Sequence, residues 1–225
     1  WLGLPFNEED GGFGGNQIDT LVIMEQFGKG LVLEPFLANV VLGGGAIQIG
    51  GSEELKNEML SSLIEGSKQL TLAYAEQQSR FDLEDVATSA RQEGDKYIIN
   101  GQKSMVLNAE SSDHIVVVTR TNGGQVDEEG ITLFLVDSDS KGLERNNFPT
   151  VDGLRASEIT FDNVEVNSER MIGDLNKGFI ILRTITNNAI LALCAEAVGA
   201  MEVLYKDTVE YTQQREQFDH PLSDF

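Results

Sequence analysis

Apolar residues recur at three-residue steps early in the chain, at Ile18, Leu21, Met24 and Phe27, after a glycine-rich opening. That spacing predicts one face of a helix. A second helix is plainer. Ser52 is placed to cap it, Glu53 and Glu54 suit the positive end of its dipole, Leu55, Met59, Leu60, Leu63 and Ile64 form an apolar face, and Gly66 marks a stop. From about residue 69 the period shortens. Leu70–Tyr74, Tyr97–Gly101, Ile115–Thr119 and Ile131–Val136 are rich in β-branched and aromatic residues and are separated by clusters such as Glu93-Gly94-Asp95 and Asn122-Gly123-Gly124. Ile159–Phe161 and Val164–Val166 continue the pattern toward Ile172. The spacing predicts an antiparallel sandwich or barrel rather than βαβ units. Beyond Gly173 helical periodicity returns from Phe179 to Tyr211 without a proline. The fold class expected is α+β, with a helical part over 1–68, a β domain over 69–172 and a further helical part over 173–225.

Charge narrows the partners. Sixteen basic residues stand against 37 acidic ones in 225, a formal net charge of −21, which repels nucleic acid and anionic lipid. The glycine-broken run Val40–Ile47 is too short to cross a bilayer, so no membrane span is expected. The opening Trp1-Leu2-Gly3-Leu4-Pro5 lacks the pattern of a secretory signal, and the one cysteine, Cys194, fits a reducing compartment. A cytoplasmic protein is expected. Cys194 lies in an apolar stretch where a buried, inert thiol is the default. His114 and His220 have no neighbours at metal-ligand spacing, so no metal site is expected. Gly11, Gly12, Gly14 and Gly15 follow no strand and do not make a dinucleotide loop.

Several segments carry a family resemblance. Trp1–Pro5 with Glu8–Gly12 resembles a Leu-Pro-x-x-Glu-x-Gly-Gly entry, Tyr97–Lys103 a strand ending Asn-Gly-x-Lys, and Ile131–Asp137 a Gly-Ile-x-Leu-Phe-Leu-Val-Asp strand. Asp152-Gly153-Leu154-Arg155 resembles an Asp-Gly-x-Arg turn, and Arg215–Leu222 an Arg-x-x-Phe-Gly-x-Pro-Leu segment. These motifs, in this order along essentially the whole chain, resemble the acyl-CoA dehydrogenases. Arg80–Thr88 and Leu193–Gly199 look most like the small subunits of pimeloyl-CoA dehydrogenases, which makes dicarboxylyl thioesters the expected substrates.

The resemblance implies a helical N-terminal domain, a middle β domain and a C-terminal four-helix bundle, with FAD between the last two. It implies acyl-CoA as substrate, electron-transfer flavoprotein as acceptor, a homodimer, homotetramer or hetero-oligomer with a sister subunit, and a longer polypeptide than these residues. The catalytic base is a carboxylate whose pKa burial raises. The family's usual glutamate falls beyond Phe225, and its alternative position falls at Ala189, with Glu196 the only acid on the adjacent turns. Glu196 is read as structural or solvated.

The implied cofactor residues are Tyr74, Ala75, Met105, Leu107, Arg215, Gln217 and Phe218. Two flavin-binding segments depart from pattern. The family's Thr-Glu-Pro-x-x-Gly-Ser-Asp stands here as Ala75–Asp82, so the threonine, the glycine and the pyrophosphate-binding serine are absent. A flavin-packing tryptophan and a flavin-bonding threonine or serine are replaced by Met105 and Leu107. Backbone bonds from Tyr74 and Ala75 survive these changes, and Met105 packs either on a ring or in the core. Arg215 matches; in the family this arginine reaches the FAD pyrophosphate of a neighbouring subunit, while the plain alternative is a surface arginine at a helix end. Two readings stay open, a working dehydrogenase and a degenerate partner subunit that supplies Arg215 to another's site.

Overall fold

The computed structural model describes residues Trp1–Phe225. Helix α1 (Gln17–Gly30) starts at a capping box, in which the Asn16 side chain accepts from the backbone and Asp19 accepts from Asn16 N. Ile23, Met24 and Gly28 turn inward while Ile18 stays exposed, so the buried face is rotated from the one the spacing predicts. A π-helix (Leu37–Gly44) runs into the short α2 (Gly45–Gly50), a buried segment that the glycines hid from periodicity. Those glycines permit close packing. A Cβ on Gly43 would sit 2.6 Å from Leu70 Cβ, and one on Gly44 2.6 Å from the Phe6 ring. Helix α3 (Glu53–Ile64) matches expectation, with Ser52 Oγ accepting from Leu55 N at 3.3 Å and Leu55, Met59, Leu60 and Leu63 buried.

Eight strands make one open sheet: β1 (Leu70–Ala73), β2 (Ser89–Glu93), β3 (Lys96–Leu107), β4 (His114–Arg120), β5 (Ile131–Asp137), β6 (Leu143–Pro149), β7 (Arg155–Asn167) and β8 (Met171–Ile172). The order is β6-β7-β3-β2-β4-β5-β8, with β1 added beside β4. Most pairings are antiparallel, but β1 joins β4 in parallel over Leu70–Ala73, and Ser89 of β2 pairs in parallel with Arg120 at the other end of β4. Both therefore lie along one edge of β4, and residues 74–88 make an excursion out of the sheet between them. One core packs the N-terminal helices on Leu70, Leu72, Val116, Val118 and Leu133; a second, around Ile99, Val117, Phe134 and Phe161, fills the other face.

Helix α4 (Phe179–Gln214) buries Ile181, Leu182, Ile185, Ala189, Ala192 and Gly199 and leaves Leu191, Leu193, Val198, Met201, Leu204 and Tyr205 exposed. It crosses α1 at two glycines. A Cβ on Gly28 would stand 1.9 Å from Glu196 O, and one on Gly199 1.9 Å from Glu25 O. Lys29 of α1 bridges to Glu202 of α4 at 2.8 Å. Two expectations change here. An 18-residue window of α4 has a mean hydropathy of 1.4, long and apolar enough by those measures to cross a bilayer, where no such stretch was expected. Cys194 is exposed, because its part of α4 faces away from the core. After α4, β9 (Glu216–Gln217) and β10 (His220–Pro221) form a small hairpin.

Candidate functional site

The excursion after β1 is fixed by a buried ion pair. Lys103 is fully buried on β3 and donates from Nζ to Glu76 Oε1 at 2.7 Å and to Tyr74 O at 3.2 Å. Glu76 also accepts from Thr88 N at 3.0 Å, Ala87 N at 2.9 Å and Gln78 Nε2 at 2.7 Å. Burial pushes the Lys103 ammonium down to about 8, which the facing carboxylate only partly opposes. For Glu76 burial works upward, yet the Lys103 charge and the donated hydrogen bonds outweigh it and hold the carboxyl below its ordinary range. Nothing in local sequence announces this pair, whose members are 27 positions apart. The usable signal was the lysine of the Asn-Gly-x-Lys segment, a cation in a strand otherwise rich in Ile, Tyr and Val.

Lys103 sets up a lip beside it. Ser104 N donates to Ala75 O at 2.8 Å, and Thr71 Oγ1 donates to Leu107 O at 2.5 Å. The β3–β7 register shifts between Lys103 and Val106, and in that bulge Met105 takes φ +51° with its side chain half exposed. Tyr74, Ala75, Met105 and Leu107 thus gather where β1 leaves the sheet and β3 bulges. Burial raises the Tyr74 phenol above its usual range. Arg80 adopts φ +50°, a left-handed conformation at the position where the family pattern has glycine, and Phe81, at the serine position, is 95% exposed.

Arg215, Gln217 and Phe218 are elsewhere. They sit past the far end of α4 in the exposed hairpin, whose turn residues Phe218 and Asp219 have φ +54° and +63°. The expected cofactor residues therefore form two groups that do not meet within one copy of the chain.

Next to the lip lies a cavity of about 380 Å³, shared by α1, the segment after it, α4, the end of β3 and the β6–β7 turn. Phe27, Val32, Leu33, Leu37, Leu154 and Leu193 give apolar walls, and Leu107 belongs to both lip and cavity. The Asp152–Arg155 turn forms its rim. Asp152 accepts from Thr150 Oγ1 and from Leu154 N, bonds that hold its carboxyl below the usual range. Arg155 is paired with Glu110. Glu196 also lines the cavity, and no hydrogen bond or ion pair engages its side chain. Burial, and then the Asp152 charge, push its carboxyl upward. Ala189, two turns earlier on α4, is buried and carries no acid.

Two family models match: acyl-CoA dehydrogenase, N-terminal domain, over residues 1–67, and acyl-CoA dehydrogenase, middle domain, over residues 71–164. The chain belongs to the acyl-CoA dehydrogenase family. It is 32% identical to a 3-(aryl)acrylate reductase of Clostridium sporogenes, over all of this chain and 61% of that protein. It is 27% identical to the caffeyl-CoA reductase-Etf complex subunit CarC of Acetobacterium woodii, over all of this chain and 60% of that one. The FAD complex of PigA superposes with a TM-score of 0.93 at 26% identity, over all of this chain and 60% of that chain. This chain thus spans about 60% of the length of the relatives it matches. The α+β class with helical, sheet and helical parts is borne out, the sheet being open and mixed.

The lip fits a flavin in one respect and departs in another. An exposed thioether and a partly buried phenol suit the flat, polarizable ring. The side chains at Ala75 and Leu107 have no polar atom, so hydrogen bonds there fall to the main chain.

Proposed function

We propose that the whole protein is an FAD-dependent oxidoreductase acting across the Cα–Cβ bond of an acyl-CoA thioester. The observation that carries this is Leu107, which belongs to the lip and also to the wall of a mainly apolar cavity of about 380 Å³. An acyl chain in the cavity would lie against Phe27, Leu37 and Leu193 and bring its thioester end to the ring's edge. The backbone of Tyr74–Ala75 and Met105–Leu107 would hold the isoalloxazine, with Met105 packed against it. Bound FAD supplies the acceptor for the β-hydride. Arg215, whose guanidinium is unengaged by its own chain and stands at the molecule's far tip, suits the pyrophosphate of a neighbouring copy or sister subunit. The base is not Ala189, and we place it in the part of the protein after Phe225. Electron-transfer flavoprotein is the proposed acceptor, in line with the Etf complex named for CarC. The domains proposed are 1–68, 69–172 and 173–225, the last being the first part of a helical bundle, and the compartment is the cytoplasm.

A second reading has its own support. The loss of hydroxyls at Ala75 and Leu107 and the outward Phe81 favour a partner subunit that lends Arg215 to another flavin site. Purifying the full-length protein alone and with any co-encoded sister subunit separates the two. Flavin that co-purifies with the protein alone supports the first reading; flavin only in the mixed assembly refutes it and supports the second.

A further inference from the structure

Glu196 is the partly buried carboxylate in the cavity wall whose side chain has no partner of its own. Asp152 is committed to Thr150 and Leu154, and Arg155 to Glu110. Glu34 adds a further exposed acid at the same wall. A half-buried carboxylate against Leu193 and Leu154, near a second fixed anion, is short of donors. Water or a ligand group must supply them. At the helix crossing the Glu196 backbone packs closely on α1, its carbonyl lying where a Gly28 Cβ would stand.

We infer that the cavity selects acyl groups whose distal end carries a hydrogen-bond donor, a hydroxyl or a protonated amine, with Glu196 as the acceptor, and rejects a distal carboxylate. This rests on the cavity being the acyl site. It runs against the expected dicarboxylyl substrates, because a second carboxylate brought between Glu196 and Asp152 meets like charge, the Arg155 charge being offset by Glu110 at Nε. A donor satisfies Glu196 in either protonation state, and a cationic one gains from Asp152 and Glu34 as well.

The test is equilibrium binding by calorimetry, on the full-length protein with its flavin chemically reduced and oxygen excluded so that no thioester is oxidised, of four thioesters matched in length: hexanoyl-, 6-hydroxyhexanoyl-, 6-aminohexanoyl- and adipoyl-CoA. The hydroxyl and amine ligands should bind about tenfold or more tighter than hexanoyl-CoA, and adipoyl-CoA about tenfold or more weaker. Ratios are read within each protein. In Glu196→Leu both preferences should fall to about twofold or less. In Glu196→Gln the amine preference and the adipoyl penalty should shrink while the hydroxyl preference largely persists. If hexanoyl-CoA binds but the series is flat in the unaltered protein, or is unchanged by Glu196→Leu, this inference is overturned and the acyl-site reading stands. If none of the four binds, the acyl-site reading itself fails.

Discussion

Replacing Lys103 by Met tests whether the buried ion pair organises the lip. Methionine fills similar volume but leaves Glu76 an ionised carboxylate without its cation, 5% exposed and held only by Thr88 N, Ala87 N and Gln78. Removing one partner of a buried pair costs about 3–5 kcal/mol. Three remaining donors to Glu76 put the expected loss near the lower end, about 3 kcal/mol, still a large share of the ~5–15 kcal/mol that holds a domain together. Tyr74 O also loses its donor, so β1's exit should loosen. Urea denaturation of the single variants Lys103→Met and Glu76→Gln and of the double variant closes a cycle, with an expected coupling of at least about 1.5 kcal/mol. Additive single effects, within about 0.5 kcal/mol, would refute the reasoning. In Glu76→Gln the lysine's folded pKa lies below its unfolded value. The unfolded state then holds more protons between those two values, so stability should rise with pH there.

Other expectations follow from the same geometry. Ala75→Thr or Leu107→Thr should tighten flavin binding about fivefold to tenfold in a fluorescence titration, the worth of one hydrogen bond; no change would mean that the lip does not face the ring. Gly28→Ala places a Cβ on the Glu196 carbonyl and should cost about 1–3 kcal/mol in thermal denaturation while widening the cavity. Glu76 is held below the ordinary carboxylate range, so its contribution is complete above the unfolded value and lost as pH falls through the folded one; acid unfolding should be less steep in Glu76→Gln. Arg215→Met should leave the melting temperature of the isolated chain within about a degree, as surface substitutions do, but lower flavin retention in the assembled protein.

Much of the fold was legible because local rules and tertiary packing agree. Ser52 through Gly66 reads as a capped helix and is one, and the β-branched runs Ile115–Thr119 and Ile131–Val136 are buried along their whole length in β4 and β5. The helical run Leu37–Gly50 was not legible, since Gly43 and Gly44 serve contacts with Leu70 and Phe6 that lie far off in the chain. Strands β2 and β6 were missed for the opposite reason: Ser89–Glu93 and Leu143–Pro149 are mostly polar and exposed, and pairing with β3 and β7 makes them strands. Family motifs located the lip at Tyr74, Ala75, Met105 and Leu107, but not the support beneath it. Lys103 and Glu76 acquire their meaning only when β1 and β3 meet. Glu196 was read as structural or solvated because sequence could not show that its helix face meets the Asp152 turn across a cavity.

The most direct test of the central claim is anaerobic titration of the flavin-loaded full-length protein with hexanoyl-CoA, followed by visible absorption. Loss of the oxidised flavin band, recovered when an enoyl-CoA is added in excess, is the predicted result. A flavin that stays oxidised with hexanoyl- and 6-hydroxyhexanoyl-CoA, and that when chemically reduced is not reoxidised by their enoyl counterparts, would contradict it.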